Sequence, residues 1–423
     1  MNCWTRRQFG CLAGSACLTA LAPRVTRSET KSSRVLVIGG GIGGATVARY
    51  LAMSAGTIEV TLVEPKPRYT TCFFSSLYLA GMRSFESLTH GYEALERRYG
   101  IKVVHDAAAA IDPVGKTVDL KEGGKLPYDR LVLAPGIAFK FGAIEGYDEA
   151  ATEVMPHAWI AGPQTELLRR QIDSMEDGGL FLIVSPPNPF RCPPGPYERA
   201  SLVAYYFKQF KPKSKILIID AKDSFFEQDL FQDAWLRHYP GMIEWLPGQF
   251  TGGVKSVNVK DLSVKTEGET FKAAVVNFIP PQIAGELAQR AGLADQSGWC
   301  PIEPTTFESK LQPGIHIVGD AISSGEMPKS AFLANSQAKV CAFAIAAALT
   351  GSDRYAPHLF NTCFTFLAAD DAVSDAIAFE PSGDTIKISE ILISQVGEDA
   401  KMRRQVVQAA NGWYAAFTHD VFG

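Results

Sequence analysis

The chain has 423 residues, enough for two or three domains with sizeable cores. With 46% hydrophobic and 20% charged residues it has the composition of an ordinary globular protein, and a net charge of −4 leaves no basic footprint for nucleic acid. Beyond the amino-terminal segment no run of 18 apolar residues occurs, which argues against a membrane span.

Residues 1–30 read as a targeting segment. Thr5-Arg6-Arg7-Gln8-Phe9-Gly10 precedes a mildly apolar run from Cys11 to Ala22, the pattern of a twin-arginine export signal that delivers folded proteins to the periplasm. Cleavage fits either Leu21-Ala22 or the stretch Thr26–Thr30. Its removal takes away Cys3, Cys11 and Cys17 and leaves five cysteines, Cys72, Cys192, Cys300, Cys341 and Cys363. An oxidising compartment permits disulfides, but an odd count leaves at least one thiol free, metal-bound or covalently used. No CxxCH occurs, so this chain attaches no c-type haem, and no histidine pairs with a cysteine at zinc-ligand spacing. No metal site is expected.

Residues 31–150 open a dinucleotide-binding domain. Arg34–Ile38 is a short buried strand. The motif G-x-G-x-x-G follows as Gly39, Gly41 and Gly44. A helix runs from about Ala45 to Met53, and the strand Glu59–Glu64 ends in the acid expected to hold a ribose diol, Glu64. The loop Tyr69–Phe74 carries Cys72, which either approaches the edge of a bound flavin or is an inert buried thiol. Arg130–Gly136 is a further buried strand, near which the chain crosses to a second domain.

Residues 151–274 repeat the βαβ pattern: a helix over Gly162–Met175, a strand Gly179–Val184, a helix Tyr197–Phe210 and a strand Lys215–Asp220. The phosphate loop does not repeat. Its place is taken by Pro186-Pro187-Asn188-Pro189-Phe190-Arg191-Cys192-Pro193-Pro194-Gly195-Pro196. Prolines offer no N–H to a phosphate, and a cysteine stands where a nicotinamide dinucleotide would bind. Electrons are therefore expected to enter through sulfur. Glu198 begins the next helix, either as a favourable N-terminal charge or as a proton acceptor for an incoming sulfhydryl.

Residues 275–352 are expected to return to the first domain, beginning with the strand Val275–Pro280. Gly314–Asp320 is a buried strand ending in Gly319-Asp320, a second flavin signature in which Asp320 faces the ribityl or pyrophosphate end. Lys329 starts a helix to Thr350, lying beside the flavin or in solvent. Residues 353–423 form a tail carrying Cys363, with strands at Ala376–Glu380 and Thr385–Ile393 and a helix near Lys401–Phe417. Its apolar face (Met402, Val406, Ala410, Trp413, Phe417) docks on the protein's own core, on a membrane surface or on a partner. Cys192 and Cys363 are either a redox pair or structural cysteines; Cys300 and Cys341 read as structural. The fold class is α/β: two Rossmann-like domains, the second without a nucleotide fingerprint, plus a small C-terminal α+β domain.

These residues together resemble the flavoprotein subunit of flavocytochrome c sulfide dehydrogenase, a relative of the sulfide:quinone oxidoreductases. The resemblance rests on Val37–Gly44, Tyr69–Ser75 with Cys72, Cys192–Ala200, Gly319-Asp320, Pro328–Ala331, Asn335–Lys339, Asn361-Thr362-Cys363 and Trp413-Tyr414 to Phe422-Gly423. It implies FAD joined to Cys72 by a thioether at the 8α-methyl, and a redox disulfide between Cys192 and Cys363. It also implies a c-type cytochrome subunit that carries the haem this chain lacks. Sulfide would then open the disulfide and leave a persulfide, Cys363 being the thiolate set free. The alternatives are a sulfide:quinone oxidoreductase with its C-terminal helix on the membrane, and a non-catalytic FAD-binding electron-transfer subunit. An NADH-dependent flavin reductase is disfavoured by the missing second fingerprint.

Overall fold

Short runs of valine, isoleucine and leucine bounded by glycine become parallel strands buried on both faces. A computed structural model describes residues 32–54, 58–354 and 356–423; the export segment expected over residues 1–30 lies outside the described residues. In the first domain β1 (Ser33–Ile38) leads through the glycine turn into α1 (Ile42–Ser54), followed by β2 (Ile58–Val63), β3 (Lys102–Val104) and β4 (Arg130–Leu133). They pair in the order β4-β1-β2-β3, all parallel, with Ile38 level with both Val63 and Leu133. The C-terminal ends of β1, β2 and β4 thus lie at one edge, where an open parallel sheet binds its ligand.

The second domain contains β5 (Leu180–Ser185), α2 (Gly195–Phe210), β6 (Lys215–Asp220), α3 (Gln228–His238), β7 (Ile243–Leu246) and β8 (Val275–Phe278). Its sheet order is β7-β6-β5-β8, again parallel. This corrects one expected boundary. Val275–Phe278 pairs with Phe181–Val184 and belongs to the second domain, so the return to the first domain starts after Phe278 and not at residue 275. A fully apolar four-residue strand fits either parallel sheet, and only its register decides. The crossing itself is an antiparallel pair, Ile137–Phe139 with Gln282–Ala284.

β9 (Ile315–Ile317) adds to the free edge of β4 and completes the first sheet. α4 (Ala331–Thr350) then runs back through the core, its N-cap Ser330 accepting the Leu333 N–H at 3.1 Å. By length and composition α4 is apolar enough to cross a membrane, contrary to the expectation from the sequence; here it is mostly buried inside the fold. The tail forms an antiparallel sheet, β10 (Leu359–Ala368), β11 (Asp371–Ser382) and β12 (Thr385–Ile393), and a closing helix α5 (Ala400–Phe422). The sequence reading had missed β10 as a strand.

Of the three partners weighed for the apolar face of α5, the protein's own core takes it. Trp413 and Phe417 pack against Phe73 and Phe332, Tyr414 lies 4.7 Å from Phe74, and Phe422 stacks on Tyr69. Asp420 seals the end, accepting from Asn335 Nδ2 at 3.1 Å and pairing with Lys339 at 2.8 Å. Met402 is the exception and stays exposed.

Candidate functional site

The glycine turn is shaped by contacts that no side chain permits. Gly39 has φ +99°, and a Cβ there would lie 2.3 Å from the Ala134 carbonyl oxygen. A Cβ on Gly44 would meet the Gly39 carbonyl oxygen at 1.8 Å. Gly41, in contrast, faces open space apart from the Tyr69 ring at 3.5 Å. Two glycines thus fold the turn, and the third keeps a surface bare at the N-terminus of α1, the arrangement that receives a pyrophosphate. Glu64 closes the next strand with its carboxylate fixed by the Gly40 N–H at 2.7 Å and the Lys66 N–H at 3.0 Å. Its remaining lone pairs suit a ribose diol.

The second flavin signature converges on the same edge. Gly319 (φ +81°) donates its N–H to Gln337 Oε1 at 2.8 Å. Asp320 is nearly enclosed and sits 3.8 Å from the Arg191 guanidinium. Lys329 is not in solvent, one of the two positions left open for it. Its ammonium donates to the carbonyls of Asp320 and Ile322 at 2.8 and 2.7 Å and lies 3.6 Å over the Trp299 ring. Burial pulls its pKa down to about 8.

One cavity of about 350 Å³ brings together Cys72, Cys192, Cys363 and Glu198. Its walls include Phe225, Phe226, Phe332, Phe364, Ile391 and Trp413. Cys192 takes a left-handed backbone, φ +60°, held by its N–H to the Lys329 carbonyl at 2.8 Å and by the Gly195 N–H to its own carbonyl at 2.9 Å. Such a conformation is uncommon outside glycine and is sustained by the surrounding structure. Gly195 is required here: a Cβ would stand 2.7 Å from the Trp159 ring and 3.0 Å from the Cys192 sulfur. Cys363 comes from β10, level with Asp375 on β11. Both cysteines are free thiols in the structure. Burial pushes both thiols well up, reinforced at Cys192 by Glu198 and at Cys363 by Asp375. Cys72 is half-buried in a turn whose carbonyl accepts from Ser75 Oγ at 2.6 Å.

Glu198 lies in the first turn of α2, half-buried in the wall of the cavity. Burial raises its carboxyl from 4.5 to about 7, against the opposing pull of the Phe366 N–H, which donates to it at 3.0 Å, and of Arg199. Of its two proposed roles, proton acceptor fits this environment. A carboxyl titrating near neutrality is poised to give and take protons at working pH.

Sequence reasoning missed Arg191, Arg199 and Asp375. Arg199 is buried and spent on Asn277 Oδ1 and the Ala158 carbonyl, both at 2.8 Å, which braces α2 against β8. A basic pair flanking the cysteine motif was the only available signal. Asp375 carried none. Cys300 and Cys341 are buried in the core, as expected.

The second domain has closed its own nucleotide position. Asp220 ends β6, where a ribose-binding acid would stand, and is completely buried. One carboxylate oxygen accepts from the Tyr197 hydroxyl and from Trp245 Nε1 at 3.0 Å; the other takes the Lys222 ammonium at 2.5 Å. Phe225 stacks on Tyr197 at 3.6 Å and covers the group.

Three family models match in succession. Residues 33–161 match pyridine nucleotide-disulphide oxidoreductase, 165–280 the central part of the sulfide dehydrogenase [flavocytochrome c] flavoprotein chain, and 355–422 the flavocytochrome c sulphide dehydrogenase flavin-binding part. The flavoprotein chain of Chlorobaculum thiosulfatiphilum sulfide dehydrogenase [flavocytochrome c] is 53% identical over 45 residues, 11% of this chain and 94% of that sequence. Mouse mitochondrial sulfide:quinone oxidoreductase is 23% identical over 298 residues, 68% of this chain and 65% of its own length. The Aquifex aeolicus sulfide-quinone reductase is 35% identical over 124 residues, 29% of this chain and only 28% of its own length. The crystal structure of the Aquifex aeolicus sulfide:quinone oxidoreductase superposes with a TM-score of 0.73 at 19% identity, covering 92% of each chain.

Proposed function

The chain belongs to the flavoprotein family of flavocytochrome c sulfide dehydrogenase, related to the sulfide:quinone oxidoreductases, and from that premise we propose that it oxidises sulfide at Cys192 and Cys363 and passes the electrons through FAD to a c-type cytochrome subunit. The observation that carries the proposal is the convergence of Cys192, Cys363, Glu198 and Cys72 on one cavity.

The bare surface at Gly41, the anchored Glu64 carboxylate and the Gly319-Asp320 turn fit a dinucleotide cofactor and would hold it. When bound there, FAD supplies a two-electron acceptor that can release electrons singly to a haem. Cys72, on the cavity wall, is the residue to hold it covalently.

In the oxidised protein Cys192 and Cys363 form a disulfide. Glu198 takes a proton from hydrogen sulfide within the cavity, generating hydrosulfide. Hydrosulfide attacks Cys192, forms a new S–S bond there and displaces Cys363 as thiolate, leaving a hydropersulfide on Cys192. Sulfide sulfur is oxidised in this exchange and the protein disulfide is reduced. The apolar walls keep water from the thiolate. Reaction by way of NADH is opposed by the closure around Asp220. Export by the twin-arginine route places the work in the periplasm.

The test is purification of the native complex, assay for haem, and measurement of sulfide-dependent reduction of cytochrome c against a soluble quinone. Cytochrome reduction, lost in Cys192→Ser and Cys363→Ser, is the expected result. Quinone reduction without cytochrome reduction would move the chain to the sulfide:quinone oxidoreductases. Unchanged flavin bleaching by sulfide in both variants would end the mechanism.

A further inference from the structure

Glu227 is a buried acid that the reaction described above does not use. It immediately precedes α3, at the N-cap position, yet its side chain makes no cap hydrogen bond. An acid at that position usually accepts from the first free N–H groups of the helix. Here the backbone adopts φ +63°, a left-handed conformation unusual for glutamate. Both carboxyl oxygens are buried, and neither has a hydrogen-bond partner. A residue kept in this state, in a strained backbone and without its usual partners, points to a use.

Its neighbours indicate the use. Ser224, Phe225 and Phe226, just before it, line the cavity that holds Cys363. Across from it, Asp375 on β11 also faces that cavity and is level with Cys363 in the sheet. The Asp375 carboxylate accepts from Asn361 Nδ2 at 2.7 Å and is held further by the Cys363 N–H. Glu198 approaches from α2. Among the described residues the cation acting on Glu227 is Arg403 of α5, and Arg403 is itself engaged by Glu398 at 3.0 Å and Asp371 at 3.5 Å. Three acids from three elements (α2, the N-cap of α3, and β11) therefore act on one thiol, that of Cys363. Burial lifts all three carboxyls, Asp375 to about 6, Glu198 to about 7 and Glu227 to about 8.

An apolar pocket ringed by acids does not tolerate an added anion. Opening a disulfide there creates one. We propose that Glu227, acting through Asp375, is the proton store for Cys363, as Glu198 is for the incoming sulfide on the Cys192 side. The proposal rests on the reading of Cys192 and Cys363 as the sulfide-opened pair. When Cys363 is released as thiolate, the unpartnered Glu227 side chain turns towards Asp375 and gives its proton to that carboxylate, and Asp375 passes a proton on to the Cys363 sulfur. A neutral thiol and a carboxylate result, and no electron changes hands. The proton returns to Glu227 when Cys363 gives up its electrons. Glu227 is thus a positioning residue for the proton, not a group that touches sulfide.

The test is stopped-flow reduction of the flavin by sulfide in the full holoprotein, from pH 6 to 9.5 at equal hydrosulfide concentration. Wild type, Glu227→Gln, Glu227→Asp and Asp375→Asn are compared. Wild type is expected to lose rate above about pH 8, where Glu227 has given up its proton before the reaction starts. Glu227→Gln should reduce the rate at pH 7 on the order of tenfold and abolish that alkaline limb. Glu227→Asp should restore a limb, and Asp375→Asn should remove it as Glu227→Gln does. A wild-type rate and limb in Glu227→Gln, with flavin absorbance intact, overturns the proposal. An unaltered limb in Asp375→Asn overturns the path through that residue. Failure of the parent reading looks different: sulfide then bleaches the flavin of Cys363→Ser as fast as that of wild type.

Discussion

Glu198→Gln separates the energetic cost of the site from its chemistry. The wild-type carboxyl is half-buried in the cavity wall and moves from 4.5 to about 7 on folding, chiefly through burial. At about 1.4 kcal/mol per tenfold change in acidity this amounts to roughly 3 kcal/mol. The sign follows from which state holds the proton. Below about pH 4.5 the group is neutral in both states and costs nothing. Between about 4.5 and 7 the unfolded chain ionises while the folded protein keeps its proton, so stability falls as pH rises. Above about 7 the full penalty applies. Glutamine never ionises, and its carbonyl still accepts the Phe366 N–H. In urea titrations the variant should therefore match wild type at pH 4.5 and exceed it by up to about 3 kcal/mol at pH 8. Flavin reduction by sulfide should fall by about a hundredfold at pH 8, where the wild-type carboxylate is the proton acceptor, and the two rates should converge towards pH 4.5, where that carboxyl is already protonated. Equal stability of the two proteins at pH 8 would refute the burial argument. Equal rates would refute the role.

Gly195→Ala places a methyl group against Trp159 and the Cys192 sulfur; sulfide-dependent bleaching should drop at least about tenfold with FAD content retained, and a normal rate would show that the thiol position is not critical. Wild type precipitated in acid should stay yellow, whereas Cys72→Ser should release its flavin to the supernatant; release from wild type would rule out the thioether. Addition of NADH should leave the flavin oxidised, since Asp220 is already bound by Tyr197, Trp245 and Lys222; rapid bleaching would mean that the second domain still admits a nucleotide.

The elements legible in the sequence were those set by short-range rules. The strand, glycine turn, helix and terminal Glu64 of the first domain follow from spacing alone, because the glycines and the acid stand at fixed intervals within one short βαβ stretch. The Lys215–Asp220 strand matched residue for residue. What stayed hidden depended on distant partners. Val275–Phe278 reads the same in either sheet, and its place is decided by pairing with a strand far back in the chain. Lys329 has no local signal that distinguishes an exposed ammonium from one sheltered by two carbonyls and Trp299. Glu198 was noticed through its place beside Cys192. Glu227 and Asp375 belong to no motif and become visible only when the cavity is assembled around them.

The tail sheet and α5 do more than cover the molecule. Cys192 is supplied by the second domain and Cys72 by the first, while Cys363 arrives on β10, far later in the chain. Arg237 and His238 of α3 hold Asp371 of β11 at 3.1 and 2.7 Å, fastening that late sheet to the second domain. A growing polypeptide therefore presents Cys192 without its partner until the tail has been made and has docked. Under the proposed pairing of Cys192 with Cys363, redox competence is a property of the finished molecule, and any event that loosens the tail would part the two sulfurs and uncover the Tyr69 side of the glycine turn as well.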